Sequence, residues 1–162
     1  MIIGLSIENF TILHVIISLI AIASGLIVLA GMLRARRLPG WTALFLVTTI
    51  LTSVTGFMFP ISGLTPGIVF GLISIVILVI ALNALYVKHL AGAWRWIYVT
   101  TALIALYLNV FVLIVQSFQK VPALQKLAPT QSEPPFSVTQ GVVLVAFLIL
   151  GIMAARRFRP TP

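Results

Sequence analysis

Residues 10–40 read FTILHVIISLIAIASGLIVLAGMLRARRLPG. From Phe10 to Leu33 there is no Asp, Glu, Lys or Arg, and the run stops on Arg34, Arg36 and Arg37 before the helix-breaking pair Pro39-Gly40. At ~1.5 Å rise per residue, a helix of that length crosses a hydrocarbon core of ~30 Å. Working outward, four more apolar segments of comparable length follow, which places spans at about 10–33, 41–59, 65–87, 96–117 and 137–155. The expected fold class is all-α: a polytopic membrane protein, a bundle of five transmembrane helices, with 1–162 forming a single transmembrane domain.

Five crossings divide the ten basic residues between two faces. Arg34, Arg36, Arg37, Lys88, Arg95, Arg156, Arg157 and Arg159 fall on one, and only Lys120 and Lys126 on the other. Cytoplasmic connections collect Lys and Arg, so this asymmetry predicts an N-terminus outside and a C-terminus in the cytoplasm. The same charges flank apolar spans, where Arg34, Arg36, Arg37, Arg95, Arg156 and Arg157 are placed to meet anionic lipid headgroups. The excess of positive charge therefore has a membrane explanation, and nucleic-acid binding is not expected.

With no cysteine, disulfides, thiolate ligands and covalently attached c-type haem are excluded. Met1 to Phe10 lacks a basic stretch and leads into a span too long for a signal-peptide core, so the segment is expected to be retained. No internal repeat of the kind built into many secondary transporters is visible.

The connections add detail. Trp41, Trp94 and Trp96, with Tyr98, are expected to form an aromatic belt on the basic face. On the other face, Pro60 to Gly67 carries two prolines that stop one helix and start the next. In the longest connection, Phe118 to Phe136, Val121, Leu124 and Leu127 recur at helical spacing beside Lys120 and Lys126, which predicts a short interfacial helix in the outer loop between helices 4 and 5. Ser132-Glu133-Pro134-Pro135 reads as the start of the last span, with Ser132 supplying a capping oxygen.

Small residues mark where helices approach in lipid. Ser18, Ala21 and Gly25 form such a stripe on span one, Gly67, Gly71 and Ser74 on span three, and Gly151 with Ala155 on span five. Span two offers Thr48, Thr52 and Thr55 beside Thr49, Ser53 and Gly56. These hydroxyls can satisfy themselves on their own helix and pack, or line a polar seam.

Ionisable and amide groups inside spans are costly, so each is a candidate for function or for interhelical hydrogen bonding. His14 is the foremost, with Asn109 and Gln116 seven residues apart on one face of span four. Glu8, His14, Gln116, Glu133 and Gln140 all belong to the outer half in this topology and, with Asn109, are the expected ligand-binding group. They could hold a cation, a headgroup or a quinone carbonyl. A haem bridging His14 and His89 is excluded because the two lie near opposite faces. A quinone or a haem with a single histidine ligand remains compatible, although no cofactor is demanded. No catalytic or metal-ligand constellation is legible, and no enzymatic activity is expected.

His89 to Tyr98 (HLAGAWRWIY) and Ala128 to Phe136 (APTQSEPPF) resemble segments of small multi-pass bacterial inner-membrane proteins, a family to which no activity attaches. The resemblance implies a bacterial inner-membrane location and transfers no site residues. Three functions are consistent with the chain. It could be an accessory or scaffold subunit that binds other membrane subunits or a second copy of itself. It could be a hydrophobic-ligand-binding bundle for quinone, haem or lipid near the outer face. Or it could be a facilitative carrier or channel along span two.

Overall fold

A computed structural model describes residues 1–160 as a set of helices and short turns. Five helices are long: α1 (Ile7–Leu33), α2 (Pro39–Phe57), α3 (Pro66–Leu82), α4 (Trp94–Lys120) and α6 (Pro134–Arg157). The short α5 (Pro122–Leu127) lies in the connection between α4 and α6, and a π-helical turn, Asn83–Val87, extends α3 without a break.

Local chemistry sets the boundaries. α1 begins earlier than expected because the Ser6 hydroxyl accepts the Asn9 N–H at 3.2 Å and Glu8 sits in the first turn, at the positive end of the helix dipole. It closes where the Arg36 N–H returns to Gly31 O at 2.8 Å and the Ala35 N–H to Met32 O at 3.1 Å, with Ala35 in the left-handed region at φ 56°. Thr65 caps α3 and Pro66 opens it, a proline placement shared with α2, α5 and α6. The expected Ser132 cap of the last span does not form: Glu133 occupies the capping position, and the Ser132 hydroxyl pairs with Thr130 Oγ1 at 2.5 Å. Starting on paired prolines, α6 gains three residues over the expected start.

α4 is the central helix, packed against α1, α2, α3 and α6, while α1 pairs with α2 and α2 with α3. Two glycines allow the closest approaches. A Cβ on Gly25 would lie 2.6 Å from Leu106 Cδ1 of α4 and 3.0 Å from the Phe45 ring of α2; one on Gly71 would lie 2.7 Å from the Phe57 ring. The Ala21–Gly25 part of the first stripe and Ser74 of the third are buried, whereas Gly67 is exposed. On α6, Gly151 faces Leu103, and the buried small residue is Ala154.

The connections α1–α2 and α3–α4 and the end of α6 share one end of the bundle, here called the basic end because eight of the ten Lys and Arg lie there. The apolar core clusters toward that end, around Met32, Phe45, Leu78, Leu85, Val99 and Leu106. Toward the far end the helices are less enclosed, and Phe10, Phe118 and Gln140 are the buried side chains of α1, α4 and α6 there.

Outward faces are apolar throughout: Ile16 and Leu19 on α1, Val47 on α2, Val76 on α3 and Leu148 on α6 are each exposed. A water-soluble domain does not present such continuous apolar surface. All five long helices have the length and composition to span a bilayer, and the chain is a multi-pass membrane protein.

The α1–α2–α4 junction makes a prediction. Gly25→Leu is expected to destabilise the bundle by about 1–3 kcal/mol, through overpacking against Phe45 and Leu106. Gly141→Ala, where a Cβ would meet nothing within 4 Å, is expected to be harmless. Unfolding in mild detergent measures both, and equal stability of the two variants would refute the junction's importance.

Candidate functional site

Most hydroxyls of the spans bond within their own helix, and the side-chain hydrogen bonds of His14, Asn109 and Gln140 join different spans. His14 Nδ1 lies 2.7 Å from Thr55 Oγ1. That hydroxyl gives its own proton to Leu51 O at 2.7 Å, so it accepts, and the Nδ1–H of His14 donates. The Nε2 lone pair is thereby left as an acceptor, beside the edge-on ring of Phe59 at 5.3 Å and near Phe10, which meets Phe59 at 5.0 Å. On α4, Asn109 Nδ2 donates to Thr49 Oγ1 of α2 at 3.3 Å. Gln140 Nε2 of α6 donates to Phe111 O of α4 at 3.2 Å, while its buried Oε1 has no partner among the described residues.

Other members of the expected group stand apart. Glu8 and Gln116 are exposed, and Gln116 does not join Asn109 despite the seven-residue spacing. Asn109 reaches α2, and Gln116, on nearly the same heading two turns further along, is exposed because the helices there are less enclosed. Glu133 is engaged in its own loop, accepting from Thr130 Oγ1 at 2.8 Å and from the backbone N–H groups of Thr130 and Ser132 at 3.1 Å. Gln131 reaches back to Val115 O at 3.0 Å and accepts from Gln119 at 3.3 Å, tying this loop to the end of α4. His14, Asn109, Gln140 and Glu133 thus each hold a different partner. Along α2, Thr48, Thr52, Ser53 and Thr55 return their protons to carbonyls four residues earlier.

The basic end is organised differently. Arg95 Nη1 donates to Ala155 O at 2.8 Å and to Phe158 O at 2.6 Å, capping the C-terminus of α6 from the first turn of α4. This cation therefore serves orphan helix carbonyls, in line with the negative end of the dipole. Lys88 stands over the Trp94 ring at 5.5 Å. Trp41 and Trp96 are exposed as a belt requires, but Tyr98 is 2% exposed and packs 6.2 Å from Phe158.

Between the α1–α2 turn, the π-helical turn and α4 lies a cavity of about 40 Å³, lined by Arg36, Arg37, Thr42, Tyr86, Tyr98 and Phe158 among others. Sequence reasoning assigned Tyr98 to the belt and missed this cavity. The signal was present: Tyr98 precedes the small residues Ala102 and Ala105 by four and seven positions, on the face that packs inward.

Compared with known proteins, the chain matches no family model, no curated protein and no solved structure.

Two tests address the far end. A double-mutant cycle of His14→Ala and Thr55→Val is expected to give a coupling of about 0.6 kcal/mol, with an upper bound near 1.7. Zero coupling would mean that the pair contributes nothing to stability. At Glu133, desolvation acts to raise the carboxyl pKa, but the Thr130 hydroxyl and the backbone N–H groups of Glu133, Thr130 and Ser132 outweigh it and leave the pKa lowered. A depressed carboxyl stabilises the folded loop above its unfolded pKa and loses that effect as pH falls through the folded one. Protection of the Thr130 and Ser132 amides, measured as exchange relative to the intrinsic rate at each pH, should therefore fall on acidification below the ordinary carboxylate pKa, and Glu133→Gln should remove this pH dependence.

Proposed function

We propose that the chain is a small accessory or scaffold subunit of a bacterial inner-membrane assembly, and that α6 is the helix by which it docks on another membrane subunit. The observation that carries this reading is the burial of α6. Of its 24 residues only Gln140 and Ala154 are buried, and it rests on α4 and α1 alone. Its outward face repeats Val138, Val142, Val145, Ile149 and Ile152 at alternating four- and three-residue steps, each more than half exposed. That spacing of β-branched residues is the geometry of a knobs-into-holes seam.

In this reading the basic end faces the cytoplasm, and α5 lies in the outer interface with Lys120 and Lys126 at headgroup level. A ligand-binding role at the far end draws support from one feature, the free Nε2 acceptor of His14 beside two phenylalanine rings. A quinol hydroxyl is the ligand chemistry that would suit it. A pore along α2 draws less, since its hydroxyls are turned back onto their own helix.

The absence of cysteine makes the docking reading directly testable. Val145→Cys, crosslinked in native membranes, is expected to capture a partner chain, whereas a cysteine at Leu26 of α1 should capture none. Val145→Trp should abolish partner recovery in mild detergent while the bundle stays folded. An uncrosslinked monomer at both positions would refute the proposal, and a self-crosslinked dimer would identify the partner as a second copy.

A further inference from the structure

We propose that the cavity at the basic end is a binding site for one phosphate group, carried by a phospholipid headgroup or free in solution. The proposal rests on features independent of the docking role given to α6.

The first is charge. The only two acidic residues of the chain, Glu8 and Glu133, both lie at the far end, so no side-chain carboxylate is within reach of the eight cations at the basic end. Arg95 finds helix carbonyls and Lys88 an aromatic face, but Arg36 and Arg37 are exposed and line the cavity. A planar guanidinium with free donors is suited to phosphate oxygens.

The second is a pair of hydroxyls. Tyr98 is 2% exposed, and its hydroxyl stands beside that of Thr42, the two pairing as hydrogen-bond partners. Both residues line the cavity, so a ligand held there meets a pair of hydroxyls at its wall.

The third is backbone. α2 starts at Pro39 with no side-chain cap, and Leu38, Pro39 and Thr42 line the cavity, so the positive end of this helix dipole borders it. The space suits the ligand: about 40 Å³ holds a few water-sized atoms, as the oxygens of one phosphate require. Its walls are fixed by the π-helical turn, which brings Leu85 and Tyr86, and by Phe158, whose carbonyl Arg95 holds. Single π-helical turns recur at functional sites.

The test uses the full chain purified in neutral detergent, with phosphatidylglycerol, oleate as an anionic lipid without phosphate, and inorganic phosphate as probes. Native mass spectrometry should show one phosphatidylglycerol per chain, retained in the presence of oleate. Tyr98→Phe and Arg37→Gln should each weaken it about tenfold, as expected for one lost hydrogen bond to a charged group, while lipid-free melting and helicity are unchanged. Displacement of the lipid by millimolar inorganic phosphate would identify a soluble phosphate as the natural source; its failure would identify the headgroup. Thr42→Val serves as the second variant should Tyr98→Phe not fold. Oleate binding as tightly as phosphatidylglycerol, or folded variants retaining full affinity, would overturn the proposal.

Discussion

Hydrocarbon offers no hydrogen-bond partner, so every polar group that enters it must be satisfied from within the chain. The five long helices satisfy their backbones in this way, and the side chains follow suit. Hydroxyls of α1, α2 and α4 return their protons one turn back, His14 and Asn109 donate to threonines of α2, and Gln140 donates to an α4 carbonyl. The sharpest expression is Arg95, a cation that turns from the headgroups to the last carbonyls of α6. Its two bonds join the start of one helix to the end of another.

This constraint divides the bundle along its axis. Near the basic end, glycine and alanine let α1, α2 and α4 close on one another, and the core is apolar and well enclosed. Toward the far end the enclosed core thins out, and single hydrogen bonds join close contacts such as Gly71 on Phe57 and Phe10 on Phe59 as the links between segments. In lipid, helices have no hydrophobic drive to associate, so packing and polar links together hold this half. The basic end combines tight packing with uncompensated charge, and the far end combines a thinner core with interhelical hydrogen bonds that leave Gln140 Oε1 without a partner among the described residues.

Much of this was legible in residues 10–40 and in the four segments like them, because an apolar run bounded by arginines has few physical readings. The span positions follow from length and charge alone. The boundaries shifted where local chemistry lay outside the hydropathy signal: Ser6 drew α1 toward the N-terminus, and paired prolines did the same for α6. The faces of polar residues were harder to read. Seven-residue spacing puts Asn109 and Gln116 within ~20° of one heading, but two turns apart along α4 they meet different neighbours: Asn109 finds Thr49 of α2, and Gln116 lies where the bundle is less enclosed. Tyr98 was assigned by its proximity to tryptophans rather than by the alanines one and two turns ahead of it, which mark the packed side of α4. The cavity could not be read at all, since it is bounded by four segments separated in sequence.

The Arg95 cap also orders events in the making of the protein. Its two acceptors lie 60 and 63 residues further along the chain. Before α6 is made the guanidinium lacks both of these carbonyls, and α6 supplies them together with Phe158, which packs beside Tyr98. A chain interrupted before α6 carries an arginine that has nothing to fasten.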